Sequence, residues 1–354
     1  MIRYRPSINV ALALCAAVSA SLVLHTSAFT QTASGLEDRV VVVMSGGPAQ
    51  DIMQKCTAES FTQKTNVRVE FVSVQAPAAF ARVMAQRNNP TLDVLWSIPA
   101  VDHTGFKEGV FVPLTRELVP NLANIDPKYS AEPNRGALFS TSIQGIQYNT
   151  KIFKEKGWDP PTSWRDLWDP KYKGRVGIYD LGGGSGQALL AVAGFLNGGD
   201  SKNMDAAFSE IAKLKPSLYT IFRQAPQFDA AVLEGNVYIG ISSAGRILAL
   251  MLQDNPISFV QPKEGVVVNN LSLQVVKGAP HPKAALAYVN WMLSKEGQSC
   301  LPKAGYSTVV NGIDIAPNIA PYMTLQRSVI PFDAGDMQDR LPDLLKRWNK
   351  EIDG

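Results

Sequence analysis

The sequence predicts an α/β fold built around a parallel sheet, on three observations. Short β-branched runs alternate with helical patterns of ten or more residues, which is the rhythm of strands joined by crossover helices. Several of those runs end in glycine- or serine-bearing turns that lead directly into a helix. The chain has 354 residues, 45% hydrophobic and 18% charged, so it holds enough apolar material for two cored domains and has neither a disordered nor a coiled-coil composition.

In chain order, "RVVVVMSGG" from Arg39 reads as a strand closed by a glycine turn, and "PAQDIMQKCTAESFTQKTN" as an amphipathic helix entered through Pro48. "VRVEFVSV" is strand, "AAFARVMAQRN" helix and "LDVLWSI" strand. From Phe111 to Pro133 the pattern turns proline-rich and irregular, as in a surface connection. "TSIQGIQYNTKIF" resumes as a strand, and "TSWRDLWD" starts a helix with Thr162 or Ser163 as cap and Asp166 in the first turn. A second α/β series begins at "GRVGIYD". It continues through the loop Gly182 to Gly186, a helix from about Gln187, the helix "NMDAAFSEIAKLK" and the strand "NVYIGISS". Strands "ISFVQP" and "VVVNNLSLQVV" lead to the helix "PKAALAYVNWMLSKEGQSCL", with Ala285, Tyr288, Val289 and Met292 on one face. No repeat of solenoid period is present.

The N-terminus has a different character. Arg3 and Arg5 precede the apolar "INVALALCAAVSASLVL", and Thr26 and Ala28 are the small residues of a cleavage site, so 1–28 reads as a signal peptide. An uncleaved membrane helix is the alternative. Cys15 follows Leu14 in the middle of the apolar run, which does not suit lipid attachment. Removing Arg3 and Arg5 from the 34 basic residues leaves 32 against 31 acidic ones, a net charge of +1, which gives no electrostatic footprint for nucleic acid. Cys56 and Cys300 then remain in an oxidising compartment, either paired or as two buried thiols.

Gly145, Tyr148 to Thr150, Pro161 to Pro170 and Lys173 to Val176 carry a Gly-x-x-Tyr-Asn-Thr strand, a Pro-x-Ser-Trp-x-Asp-Leu-Trp-Asp-Pro run and a Lys-Gly-x-Val strand. "VQPKEGVVVNNLSLQVVKGAPHPKAALAYVNWMLS" adds a return strand and helix, and "AGYSTVV" and "LLKRWNKEI" fit more loosely. In these motifs the chain resembles the extracellular solute-binding proteins of ABC importers, in the spermidine/putrescine-binding branch, over nearly its whole mature length. The resemblance implies the two-lobe type II periplasmic binding fold, with two crossover strands as hinge and a ligand cleft between the lobes. It places 36–142 plus 266–310 in lobe one and 143–265 plus 311–354 in lobe two. The crossings would lie near Ile143 to Asn149 and Glu264 to Asn270. Both cysteines then fall in lobe one, which favours a disulfide. The implied partners are a small-molecule ligand and a permease in the inner membrane. The implied state is a periplasmic monomer without cofactor, metal or nucleic acid.

Ligands of α/β sheets sit beyond the carboxyl ends of the strands. That edge holds Ser45, Gly46, Gly47, Trp96 and Ser97 in lobe one and Ser242, Ser243 and Arg246 in lobe two, with Ser142, Asn269 and Asn270 on the crossings. The loop residues Gly184, Ser185, Gly186 and Gln187 would offer backbone N–H groups, a hydroxyl and an amide at a helix N-terminus. Where polyamine binders carry carboxylates and aromatic faces, the motifs align Ser242, Asn269, Leu271 and the loop around Ser185. The expected ligand is therefore a small carboxylate- or phosphonate-bearing solute, zwitterions included, with polyamine and iron(III) as alternatives. Structural alternatives are a core role for Trp96 and an ion pair for Arg246 with an acid such as Glu234. Trp164 and Trp168 read as packing residues.

Catalysis is not expected. "GGGSGQA" lacks the Lys-Ser/Thr ending of an NTPase loop and the last glycine of a Gly-x-Ser-x-Gly elbow. His103 and His281 stand apart and read as surface residues, and adjacent tyrosines of the kind that hold iron are absent.

Overall fold

A computed structural model describes residues 35–46, 48–129, 135–198, 200 and 202–354; the leader 1–28 and Gly47 lie outside the described residues. In the first half, β1 (Arg39–Met44), β2 (Arg68–Ser73) and β3 (Val94–Ser97) form where the β-branched runs place them. Between β1 and β2, α1 (Pro48–Met53) and α2 (Glu59–Thr65) are joined by a π-helical turn at Gln54–Ala58. Asn66 ends α2 in a left-handed conformation, φ 61°, its N–H donating to the Thr62 carbonyl. α3 (Ala76–Ala85) leads to β3, and α4 (Pro99–Lys107) follows it. The sequence pattern does not announce α4, because Val101 is its only large buried side chain and no apolar stripe forms.

β4 (Ala137–Asn149) starts four residues earlier than its pattern suggests, and Asn149 caps α5 (Thr150–Glu155), where the strand was expected to continue. The expected helix at "TSWRDLWD" is only a 3₁₀ turn, Trp164–Trp168, closed by a capping box between Ser163 and Asp166. The second series runs β5 (Val176–Tyr179), α6 (Gly184–Leu196), α7 (Met204–Leu214), β6 (Leu218–Phe222) and α8 (Ala225–Leu233). It continues with β7 (Ile239–Ser243), α9 (Ala244–Met251), β8 (Ile257–Val260) and β9 (Val267–Val275). β6 is an edge strand with Tyr219 and Thr220 exposed, so its alternation is weak. The long terminal helix breaks at Ser294, which caps a second segment, giving α10 (Pro282–Met292) and α11 (Lys295–Ser299). α12 (Ala320–Met323) and α13 (Ala334–Trp348) complete the chain.

The strand order is β2-β1-β3-β9-β4-β7-β5-β6, with β8 on β4. The parallel pairing expected from the alternation holds only in the two wings, β2-β1-β3 and β7-β5-β6. The centre is antiparallel, because β4 carries the chain out of the first wing and β9 carries it back. Of three cores, the smallest packs α3 and α4 on Val43 and Leu95, and the two larger flank this centre. One gathers β1, β3, Phe139, Leu273 and the buried face of α10; the other takes Ile143, β5, α6, β7 and Val267, and closes with Met337, Leu344 and Trp348 of α13. Residues 140–142 and 268–272 thus span the gap between cores as a two-stranded ladder.

Cys56 and Cys300 form a disulfide, Cα–Cα 5.7 Å, that ties the π-helical turn to the end of α11 within lobe one. The tryptophans of the Trp-x-x-x-Trp run are packing residues: Trp164 is fully buried and donates to the Gly265 carbonyl, and Trp168 donates to the Glu210 carbonyl. His281, expected at the surface, is instead part of the lobe-one scaffold. Its Nδ1 faces the buried Asp93 carboxylate at 2.8 Å, its backbone N–H donates to Asp93, and its Nε2 accepts from Arg39.

Candidate functional site

On one face of the crossing ladder lies a cleft of about 590 Å³. Its floor is Ser142 and Ile143 of β4 and Leu271 of β9. Lobe two supplies Ser243 at the end of β7 and Arg246, Leu250 and Leu252 in and after α9. Lobe one supplies Ala49 and Ile52 of α1 and Lys303, Tyr306 and Ser307 of the loop behind α11. The walls are largely aliphatic, with a few polar groups aimed inward, which is how a selective small-molecule site is made.

Arg246 reaches this cleft, but its fork is engaged. Nε donates to Asp229 Oδ1 at 3.1 Å and a terminal nitrogen donates to Oδ2, so both carboxylate oxygens are bound side by side. Its partner is therefore Asp229 of α8 and not Glu234, which accepts instead from Asn236. Asp229 is buried, while about a third of the Arg246 side chain faces solvent. The remaining guanidinium N–H groups have no partner among the described residues. Nearby Tyr179 is pushed up to about 12, chiefly by burial and further by the Asp229 charge.

The glycine loop sits on the same face but works differently from the expectation. α6 begins at Gly184, three residues before the expected start, with Gly183 as its cap and no side-chain cap. Ser185 donates to Oε1 of Gln144 at 2.7 Å, and Gln144 in turn donates to the Ser142 hydroxyl at 3.1 Å. The hydroxyl thus fastens α6 to the crossing strand beside the cleft floor. Gly186 and Gln187 have packing roles here. A Cβ on Gly186 would meet the Asp180 carbonyl oxygen at 1.9 Å, so that glycine serves close backbone packing. Gln187 is buried, donating to the Leu181 carbonyl and accepting from Gln338 of α13. Gly184 lies against the Asn269 amide, where an added Cβ would meet Nδ2 at 2.8 Å.

Several other expected residues fall elsewhere. Trp96 belongs to the lobe-one core, its ring 4.5 Å from Phe139 and 5.5 Å from Tyr306, so it backs the cleft wall without forming it. Ser97 and Ser242 are buried, and neither lines the cleft. Ser45 donates to Gln75, and Gly46 packs on Ser73, so this turn lies outside the lining while α1 behind it contributes. Asn269 and Asn270 lie on different sides of the ladder: Asn269 packs on Gly184, and Asn270 does not. Asn269 shares the cleft face with Leu271, whereas Asn270 lines a second crevice of about 460 Å³ with Val268, Ser272 and Gln274. There, between α4 and the start of α13, His103 meets Asp339 at 2.9 Å, joining the lobes at a residue expected to be merely exposed.

Lys303, Tyr306, Asp229 and Gln144 were missed. The sequence signal for Tyr306 was the loose "AGYSTVV" match, which brings Tyr306 and Ser307 to the cleft; Lys303 lies just before it and gave none. Asp229 gave none, since helix α8 was not announced.

Residues 57–320 match the family described as bacterial extracellular solute-binding protein. The chain is 28% identical to the spermidine/putrescine-binding periplasmic protein of Escherichia coli over 280 residues, 77% of this chain and 76% of that one. Its structure superposes on an ABC transporter crystal structure from Clostridium perfringens with a TM-score of 0.77 at 20% identity, covering 88% of this chain and 99% of that chain. It also superposes on the periplasmic binding protein AfuA from Actinobacillus pleuropneumoniae, solved with fructose-6-phosphate, with a TM-score of 0.69 at 25% identity, covering 89% and 98%. The chain belongs to the bacterial extracellular solute-binding proteins, and its two lobes on crossing strands are the type II periplasmic binding fold. It is thus a solute-binding component of an ABC transporter, of the kind that holds a small molecule and delivers it to a permease. Among the described residues no helix is long and apolar enough to cross a membrane.

Proposed function

We propose that the chain works in the periplasm, after loss of its leader, as a monomeric receptor for a small organic solute bearing a carboxylate or phosphonate, zwitterions included, which it delivers to an inner-membrane permease. It binds and does no covalent chemistry. Ligand contacts from both lobes stabilise the closed arrangement over the open one, and micromolar capture needs only about 8 kcal/mol.

The charge inventory of the cleft carries this reading. Among the described residues its one lining carboxylate, Asp229, is already held by Arg246, and Lys303 adds a further cation. A polyamine entering here would desolvate its ammonium groups and find no free carboxylate, at a cost of about 1–3 kcal/mol for each group left unmatched. The polyamine reading is the second one, favoured by the name of the Escherichia coli relative. A thermal-shift panel of organic acids, phosphonates, spermidine and ferric citrate tests both. Stabilisation by acids or phosphonates is expected; stabilisation by spermidine alone, or by the ferric complex alone, would overturn the anion reading.

A further inference from the structure

Arg246 and Lys303 come from opposite lobes, and the residues beside them touch. A Cβ added to Gly245, next to Arg246, would sit 2.2 Å from the carbonyl oxygen of Gly305. Gly305 follows Lys303 by two residues and holds the left-handed φ of +80° that ends its turn. The two backbones therefore meet across the cleft, at a spot where the obstacle is a carbonyl and not a movable side chain. Lys303 is exposed and has no partner among the described residues, while Arg246 spends one unit of charge on Asp229. The three groups together leave a single positive charge. Around it the wall is aliphatic, through Ile52, Leu250, Leu271 and Leu252, and Leu252 is 63% exposed at the rim.

Building on the anion reading above, we propose that the cleft takes an amphiphilic monocarboxylate. Its carboxylate bridges Arg246 of lobe two and Lys303 of lobe one, and its hydrocarbon body covers Ile52, Leu250 and Leu252. The Gly245–Gly305 contact is the closing contact that brings both cations onto one anion. A doubly charged head exceeds the available positive charge and faces Asp229. A short acid matches the charge but leaves the aliphatic wall wet.

The test is isothermal titration with hexanoate, acetate, adipate and 1,6-hexanediamine. Hexanoate is expected to bind about a hundredfold more tightly than acetate, from four buried methylenes, and about tenfold more tightly than adipate. Lys303→Gln, at an exposed position that leaves the fold intact, should weaken hexanoate about tenfold. Gly245→Ala should weaken every ligand that binds by a similar factor whatever its charge, and should raise the ligand-bound radius of gyration in X-ray scattering. Unchanged hexanoate affinity in Lys303→Gln, or adipate binding as tightly as hexanoate, removes this inference and leaves the anion reading standing. A silent Gly245→Ala removes the closing contact. Binding of nothing in the series removes this inference alone, and binding of the diamine alone overturns both readings.

Discussion

Arg246→Ala separates the two jobs assigned to this guanidinium. Removing it takes a cation from the cleft and at the same time uncovers Asp229, a buried carboxylate that now faces any bound anion. At a separation of about 5 Å and an effective dielectric near 20, that repulsion is about 3 kcal/mol; the lost charge-assisted hydrogen bond adds about 1.5–3 kcal/mol. Even half of this total weakens an anionic ligand by more than tenfold. The substitution also leaves Asp229 without its partner, but the pair is partly exposed, so the loss of stability should stay near 1–2 kcal/mol, below the cost of breaking a fully buried pair. The companion Arg246→Ala with Asp229→Asn removes the orphaned charge. It should recover the melting temperature and part of the affinity, leaving only the missing donor. Calorimetric titration of the acid that stabilises the wild type, with thermal melts of each apo variant, reads both quantities. Unchanged affinity in Arg246→Ala would falsify the role of Arg246, and a double variant no better than the single one would refute the charge account.

Two further outcomes concern stability. Replacing both Cys56 and Cys300 by Ser, or reducing the wild type, should lower the unfolding free energy by about 2–4 kcal/mol in denaturant titration, because the bond closes a very long loop; an unchanged midpoint would show that the bond adds nothing. Tyr129 and Tyr179 are both pushed up to about 12 by burial, with nearby aspartate charge adding to it. A raised folded-state value means that the folded chain keeps a proton the unfolded chain has lost. Stability is therefore retained below pH 10 and falls between about pH 10 and 12, each tyrosine adding a slope of about 1.4 kcal/mol per pH unit. Tyr179→Phe should flatten that decline, and melts that do not change across this window would contradict the burial of the phenols.

The crossing ladder shows how far sequence reaches and where it stops. Strand runs such as "RVVVVM" and "RVGIY" identify themselves, because β-branched residues on a half-buried pleat leave a local signature. The motif-bearing stretch from Gly145 to Val176 carried the family, and with it the two-lobe arrangement, hinge and transport role. Helices α4 and α8 stayed silent because their buried faces are short, and β6 because an edge strand has little to bury. Gly182 to Gly186 was legible as a turn into a helix, but its use was not. Whether Gly186 is empty for a ligand or for the Asp180 carbonyl depends on a backbone approach that no local pattern encodes. The direction of a side chain across a strand is set by register, so Asn269 and Asn270, adjacent in sequence, went to different crevices. Charge partners are set by which helices the fold lays together: Arg246 met Asp229, 17 residues away, and left Lys303, from the other lobe, as the unmatched cation of the cleft. The sequence by itself determined the class of molecule and most of its strands and longer helices, since both rest on local composition and motif. Only the tertiary structure decided which polar groups remain free to meet a solute, because that depends on what every other group has already bound.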